Sequence, residues 1–147
     1  MSKLAATVPL VLLATVAACA STGPPQSGRS VDPMMISGTL WQWEATITPS
    51  ETLTSPTPER YTLRLEPDGR VHARFDCNRG SGTFSIGGTG QIRFGSMATT
   101  RMACPPESLD RRFAHDLDEV KGYYVEGDSL YLELPVTGGA MRFRRAD

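Results

Sequence analysis

From Thr39 onward, apolar residues recur at every second position, in short runs broken by glycine-containing turns. Period two is the spacing of a strand with one buried and one solvated face, so the pattern calls for pleated sheet. Trp41 and Trp43 alternate with Gln42 and Glu44, and Tyr61, Leu63 and Leu65 alternate with Thr62 and Arg64. Pro67-Asp68-Gly69 is a tight-turn sequence. After it Val71, Ala73 and Phe75 alternate with Arg70, His72 and Arg74, completing a hairpin. Further runs cover 83–86, 91–94, 123–126, 129–134 and 140–144, with Leu130, Leu132 and Leu134 on one face. The segment 48–59 contains three prolines and reads as a loop.

One segment departs from period two. After Pro105-Pro106, Leu109, Phe113, Leu117 and Val120 recur at helical spacing, which predicts one amphipathic helix over about 106–121. Glu107 and Asp110 suit its positive N-terminal end, and Gly122 is placed to stop it. Many short, evenly spaced strands with one helix predict a mainly β chain. The favoured form is a small antiparallel barrel of about eight or nine strands, with the helix covering one opening. With 15 Lys+Arg against 16 Asp+Glu, the chain lacks the basic excess expected of a nucleic-acid binder.

The N-terminal end reads as an address. Lys3 precedes an apolar run over 4–16, and Ala17-Ala18 places small residues before Cys19, the order of a secretory signal. The run is well short of the ~20 residues that a membrane-spanning helix needs. Val16-Ala17-Ala18-Cys19 resembles the lipobox of bacterial lipoproteins. That resemblance implies cleavage after 18, lipid on Cys19 and an envelope location. Ala20, in place of the Asp that favours inner-membrane retention, points to an outer membrane with the domain facing the periplasm. Two or more acyl chains hold a protein on a bilayer where one does not. Residues 19–37 then form the lipidated end and a flexible tether with a reach of roughly 20–25 Å, leaving 38–147 as the domain.

With Cys19 given to lipid, Cys77 and Cys104 remain as one pair in an exported chain, and a disulfide is expected. Closing such a loop contributes about 3–4 kcal/mol in the chain-entropy model. Neither the C-x-x-C of a redox site nor a four-ligand zinc spacing occurs.

Two stretches carry a resemblance. Cys77-Asn78-Arg79 with Ser81-Gly82-Thr83-Phe84, and Thr99-Thr100-Arg101-Met102-Ala103-Cys104-Pro105, resemble the C-N-R-x-S-G-S-Y and T-R-M-A-C-P motifs of the META domain family, also called HslJ-like. Trp41, Tyr61-Thr62-Leu63 and Asp68-Gly69-Arg70-Val71 stand before them in the family's order. The resemblance runs from about Gly38 to Phe143 and implies a lipocalin-like barrel in an envelope setting, linked to stress and antibiotic tolerance. It brings no catalytic mechanism. Asp76 stands where the family commonly has Gly, and Gly80 where a bulky residue is common. Asn78, Gly82, Thr100, Arg101 and Met102 are motif residues of unknown role. The plainer reading has Asn78 satisfying local backbone and Met102 filling core.

Other chemistry finds little support. His72 and His115 fall on polar faces without a metal-ligand partner, and no G-x-S-x-G elbow occurs. Glu66 and Glu133 are carboxylates that strands could bring together, without positive support. Neither cofactor nor metal is expected. Arg64, Arg70, Arg74, Arg93, Arg142 and Arg144 occupy outward positions, balanced by Glu66, Glu126 and Glu133, or offered to an anionic surface. The expectation is a monomeric, non-enzymatic envelope lipoprotein acting through contact with an envelope protein or anionic surface. A small-molecule or lipid carrier, or a hydrolase inhibitor using the 48–59 loop, are the alternatives.

Overall fold

A computed structural model describes residues 29–146. The signal segment expected over 1–18, the lipid site at Cys19 and the first part of the tether lie outside the described residues. Ten strands form among those described: β1 (Leu40–Ile47), β2 (Thr52–Thr54), β3 (Tyr61–Leu65), β4 (Arg70–Phe75), β5 (Asn78–Ile86), β6 (Ile92–Phe94), β7 (Ala98–Thr99), β8 (Gly122–Glu126), β9 (Ser129–Leu134) and β10 (Gly139–Arg145). Eight make the wall, in the order β6-β5-β4-β3-β1-β10-β9-β8, and every pairing is antiparallel. β2 adds to β1 and β7 to β5. The two ends of this order meet where Ile92 N–H donates to the Lys121 carbonyl at 3.2 Å and Tyr123 N–H to Gly90 at 2.8 Å. The result is a nearly closed antiparallel barrel.

Alternation does what it predicted. Trp41, Trp43, Leu63, Leu65, Val71, Leu130, Leu132, Met141 and Phe143 are buried inside the wall. Each such side chain contributes roughly 1.5–3 kcal/mol of burial. The register of β1 against β10 slips between Trp43 and Ala45, leaving Glu44 as an extra residue. This bulge shifts the phase of β1, so Thr46 pairs with Met141 and is buried in its turn.

The helix, α1 (Asp110–Glu119), begins later than the sequence pattern predicts. Ser108 N–H donates to the Pro105 carbonyl at 2.9 Å, and Leu109 N–H donates to Tyr61 Oη at 2.8 Å. These bonds hold 105–109 as a turn, so Asp110 is the acid of the first helical turn and Glu107 lies outside it. Phe113 of α1 enters a cluster of rings from four strands. Its centroid lies 5.1 Å from Trp43, 5.5 Å from Phe75, 5.8 Å from Tyr61 and 6.1 Å from Phe143. The helix therefore plugs the barrel with an aromatic side chain.

Three further boundaries differ from the pattern. β5 starts at Asn78 rather than near Thr83, because Gly80 and Gly82 extend the ladder to β4 without contributing an apolar signal. The 48–59 loop contains β2. The tether expected over 19–37 is docked from Ser30 onward. Ser30 and Val125 exchange both main-chain bonds, at 2.8 and 2.7 Å, and Tyr123 Oη donates to the Val31 carbonyl at 2.6 Å. Ile36 is fully buried, and its carbonyl accepts from Trp41 Nε1 at 3.0 Å.

Candidate functional site

The motif residues converge beside the β4–β5 hairpin. Phe75 pairs with Asn78, so Asp76 and Cys77 are the two central residues of a tight turn. Asp76 has φ +59°, in the left-handed region that glycine adopts without cost. Here an aspartate holds it. The Asp76 carboxylate is buried and paired with the Arg60 guanidinium, while its own carbonyl accepts from Arg74 Nε at 3.0 Å. Cys77 is bonded to Cys104, with Cα atoms 5.6 Å apart.

Asn78 is the hub. Its Oδ1 accepts from Met102 N–H at 2.7 Å and from Thr100 Oγ1 at 2.9 Å, while Nδ2 donates to the Met102 carbonyl at 3.0 Å. The same Nδ2 lies 3.4 Å from Cys104 Sγ. Thr100 Oγ1 also accepts from Arg79 N–H at 3.0 Å. One buried amide thus fixes the course of 100–104, as the local-backbone reading of Asn78 predicts. Met102 departs from its expected place in the core. It is 60% exposed, because its main chain is what the hub holds and its side chain is turned outward.

Gly82 has a packing role. A Cβ there would meet the Ser96 carbonyl at 2.9 Å and Met97 Cγ at 3.1 Å. At Gly80, where the family pattern tolerates bulk, a Cβ would lie 2.8 Å from the Phe75 ring and 2.9 Å from Thr99 Cγ2. Both keep the chain leading into 100–104 close against β5.

The exposed side of this loop faces an open groove of about 750 Å³ between 99–106 and the start of α1. Arg101, Met102, Pro105, Pro106, Arg111 and Ala114 are among its lining residues. The far side of α1 is clamped by a network that sequence reasoning missed. Thr46 Oγ1 donates to Asp116 Oδ2 at 2.8 Å, Arg112 Nε reaches both Asp116 oxygens at 2.9 and 3.0 Å, and Arg112 Nη1 donates to Glu51 at 2.9 Å. Partial burial opposes the Arg112 charge, but bonds to Asp116 and Glu51 outweigh it and hold the guanidinium above its ordinary value. The only signal was the i, i+4 spacing of Arg112 and Asp116.

The remaining candidates do not assemble. His72 and His115 are exposed, and no group of residues that could hold a metal ion occurs among the described residues. Glu66 pairs with Arg64 and follows β3, with β1 and β10 lying between it and Glu133 on β9. Of the six outward arginines, Arg64 pairs with Glu66, Arg70 with Asp68, and Arg142 and Arg144 both with Glu44, while Arg74 and Arg93 form no ion pair among the described residues. Neither Glu126 nor Glu133, expected in that role, forms an ion pair among the described residues. The segment 48–59 is laid on β1 by β2 and by the Ser55 N–H bond to the Glu44 carbonyl at 2.7 Å, with Pro49 to Thr52 left exposed at the turn. The aromatic cluster around Phe113 packs across the barrel interior, as in other small barrels.

Among the described residues, no helix is long and apolar enough to cross a membrane. The sequence profile of the META domain matches residues 35–147. No curated protein matches the chain. The fold is shared with a Burkholderia xenovorans protein solved by NMR, at TM-score 0.65 and 19% identity, covering 95% of this chain and 99% of that one. It is shared too with a DUF4847 family protein from Bacteroides vulgatus, at TM-score 0.59 and 12% identity, covering 78% and 98%.

Proposed function

On the premise that this chain belongs to the META domain family, we propose that it is a non-enzymatic lipoprotein of the cell envelope, supporting envelope integrity under stress through contact with another envelope protein. The observation that carries this reading is the division of labour in the barrel. Its interior is occupied by its own rings, while a buried asparagine is spent on presenting Arg101 and Met102 outward. Methionine and arginine are enriched at protein interfaces. The leader before Cys19 supports acylation and an outer-membrane position facing the periplasm.

The test is genetic. In the host that encodes the chain, deletion should raise sensitivity to detergent and to envelope-directed antibiotics. Cys19→Ala, which removes the acylated thiol, should reproduce the deletion, and Met102→Glu should do so at normal protein abundance. A deletion strain with unchanged sensitivity under all these stresses would overturn the reading.

A further inference from the structure

The groove beside the Asn78 hub has a main-chain edge as one wall. Thr100 N–H donates to the Arg79 carbonyl at 2.9 Å, and both main-chain groups of Met102 bond to the Asn78 amide. In strand-like chain, successive residues direct their main-chain groups to opposite sides. Bonding of residues 100 and 102 toward β5 therefore turns the N–H and C=O groups of Arg101 and Ala103 away from it. Those groups have no protein partner among the described residues. They form an open edge in the irregular chain that follows β7, tied down by the Cys77–Cys104 disulfide at one end and the β5–β7 ladder at the other.

The side chains around this edge have a definite chemistry. Met102, Pro105, Pro106 and Ala114 supply apolar surface, and Arg101 and Arg111 stand beside it. Neither arginine has an ion-pair partner among the described residues, in contrast to Arg60, Arg64, Arg70, Arg112, Arg142 and Arg144. Asp110 is the one acid in the lining, and it sits in the first turn of α1, where the helix dipole favours it.

We propose that this groove takes an extended, acidic peptide segment of a partner protein, added as a strand along the Arg101–Ala103 edge. The open main-chain groups supply the pairing, the two arginines meet carboxylates, and alternate apolar side chains rest on Met102 and the prolines. A lipid headgroup would use the arginines and leave the edge unused. The proposal rests on the contact reading above and names the chemistry of the partner.

The test uses the full chain, purified in detergent, and a phage-displayed library of random segments about twelve residues long. The selected pool should be enriched in Asp and Glu alternating with apolar residues. The dominant selected peptide, fluorescently labelled, should bind at least about tenfold more weakly to Arg101→Glu and to Arg111→Glu, a loss of ~1.4 kcal/mol. Ala103→Pro removes an edge N–H without touching charge and should weaken binding about as much. Arg93→Glu on β6, the same charge change away from the groove, should leave affinity unchanged.

A pool without acidic enrichment overturns the proposal. So does full affinity in Ala103→Pro that keeps its circular dichroism spectrum and its Cys77–Cys104 bond. If Ala103→Pro fails to fold, full affinity in both arginine variants does the same. Vesicles containing phosphatidylglycerol that bind through Arg101 and Arg111, with no peptide selected, would also overturn it. Failure of Cys19→Ala to reproduce the deletion phenotype bears on anchoring alone and leaves this peptide test intact.

Discussion

The Asn78 amide grips the Met102 peptide from both sides, accepting its N–H at 2.7 Å and donating to its carbonyl at 3.0 Å. A backbone unit that would otherwise be solvated is thereby held as if by a neighbouring strand.

Removing that grip should loosen the loop before it unfolds the barrel. Asn78→Ala deletes bonds to Met102 and Thr100, each contributing about 0.5–1.5 kcal/mol, so a loss of ~2–3 kcal/mol is expected in urea denaturation. Hydrogen exchange at the Met102 amide should accelerate by more than the global loss accounts for. Asn78→Asp should be no better, since a carboxylate oxygen would face the Met102 carbonyl.

At the hairpin, Arg60 and Asp76 should respond asymmetrically. Arg60→Ala leaves a buried carboxylate unpaired and should cost about 2 kcal/mol, below the ~3–5 kcal/mol of a fully buried pair because the guanidinium is partly exposed. Asp76→Gly removes the carboxylate itself and suits φ +59°, so it should stay within ~1 kcal/mol of the natural chain. Thermal melts of the two variants side by side check the ordering.

Phe113→Ala should convert a filled barrel into one with a dry cavity. A loss of about 3–5 kcal/mol is expected. Benzene or xenon should raise the melting temperature of the variant and leave that of the natural chain unchanged.

Alkaline titration should loosen the N-terminal arm. Burial pushes the Tyr123 phenol above its ordinary value, with the Asp32 charge adding to the effect, and Tyr124 is raised by burial as well. A phenol raised in the folded state binds its proton more tightly there than in the unfolded chain. Its stabilisation is complete below the unfolded value of about 10 and is lost as pH rises through the folded one. Ionised Tyr123 would also lose the proton it donates to Val31. Tyr123→Phe should therefore reduce the fall in stability above pH ~10, followed by denaturant titration at fixed pH.

The strands with alternating apolar residues were legible because one face of each is buried by side chains that sequence displays directly. What stayed hidden depended on partners far along the chain. Thr46 is polar and follows a bulge, so period two cannot anticipate that it meets Asp116, seventy positions away. Met102 looked like core because it is apolar, and only the hub at Asn78 turns it outward. The late start of α1 follows from a tyrosine hydroxyl on β3 that competes for the Leu109 amide. Glu44 meets two arginines through a register shift that no local spacing encodes. The motif stretches themselves were found in the sequence, but their roles became definite only when the groove was seen.

The docked arm has a mechanical meaning. A pull on the chain at Arg29 would meet the Ser30–Val125 pair and the Tyr123–Val31 bond first, then buried Ile36 and the Gly38–Leu65 bond, before it reached β1 at Leu40. Those few bonds lie outside the main ladders of the wall, so they yield first and let out slack. Were the protein held by its N-terminal end, as proposed, the arm would act as a shock absorber, giving way while the barrel and the groove keep their shape.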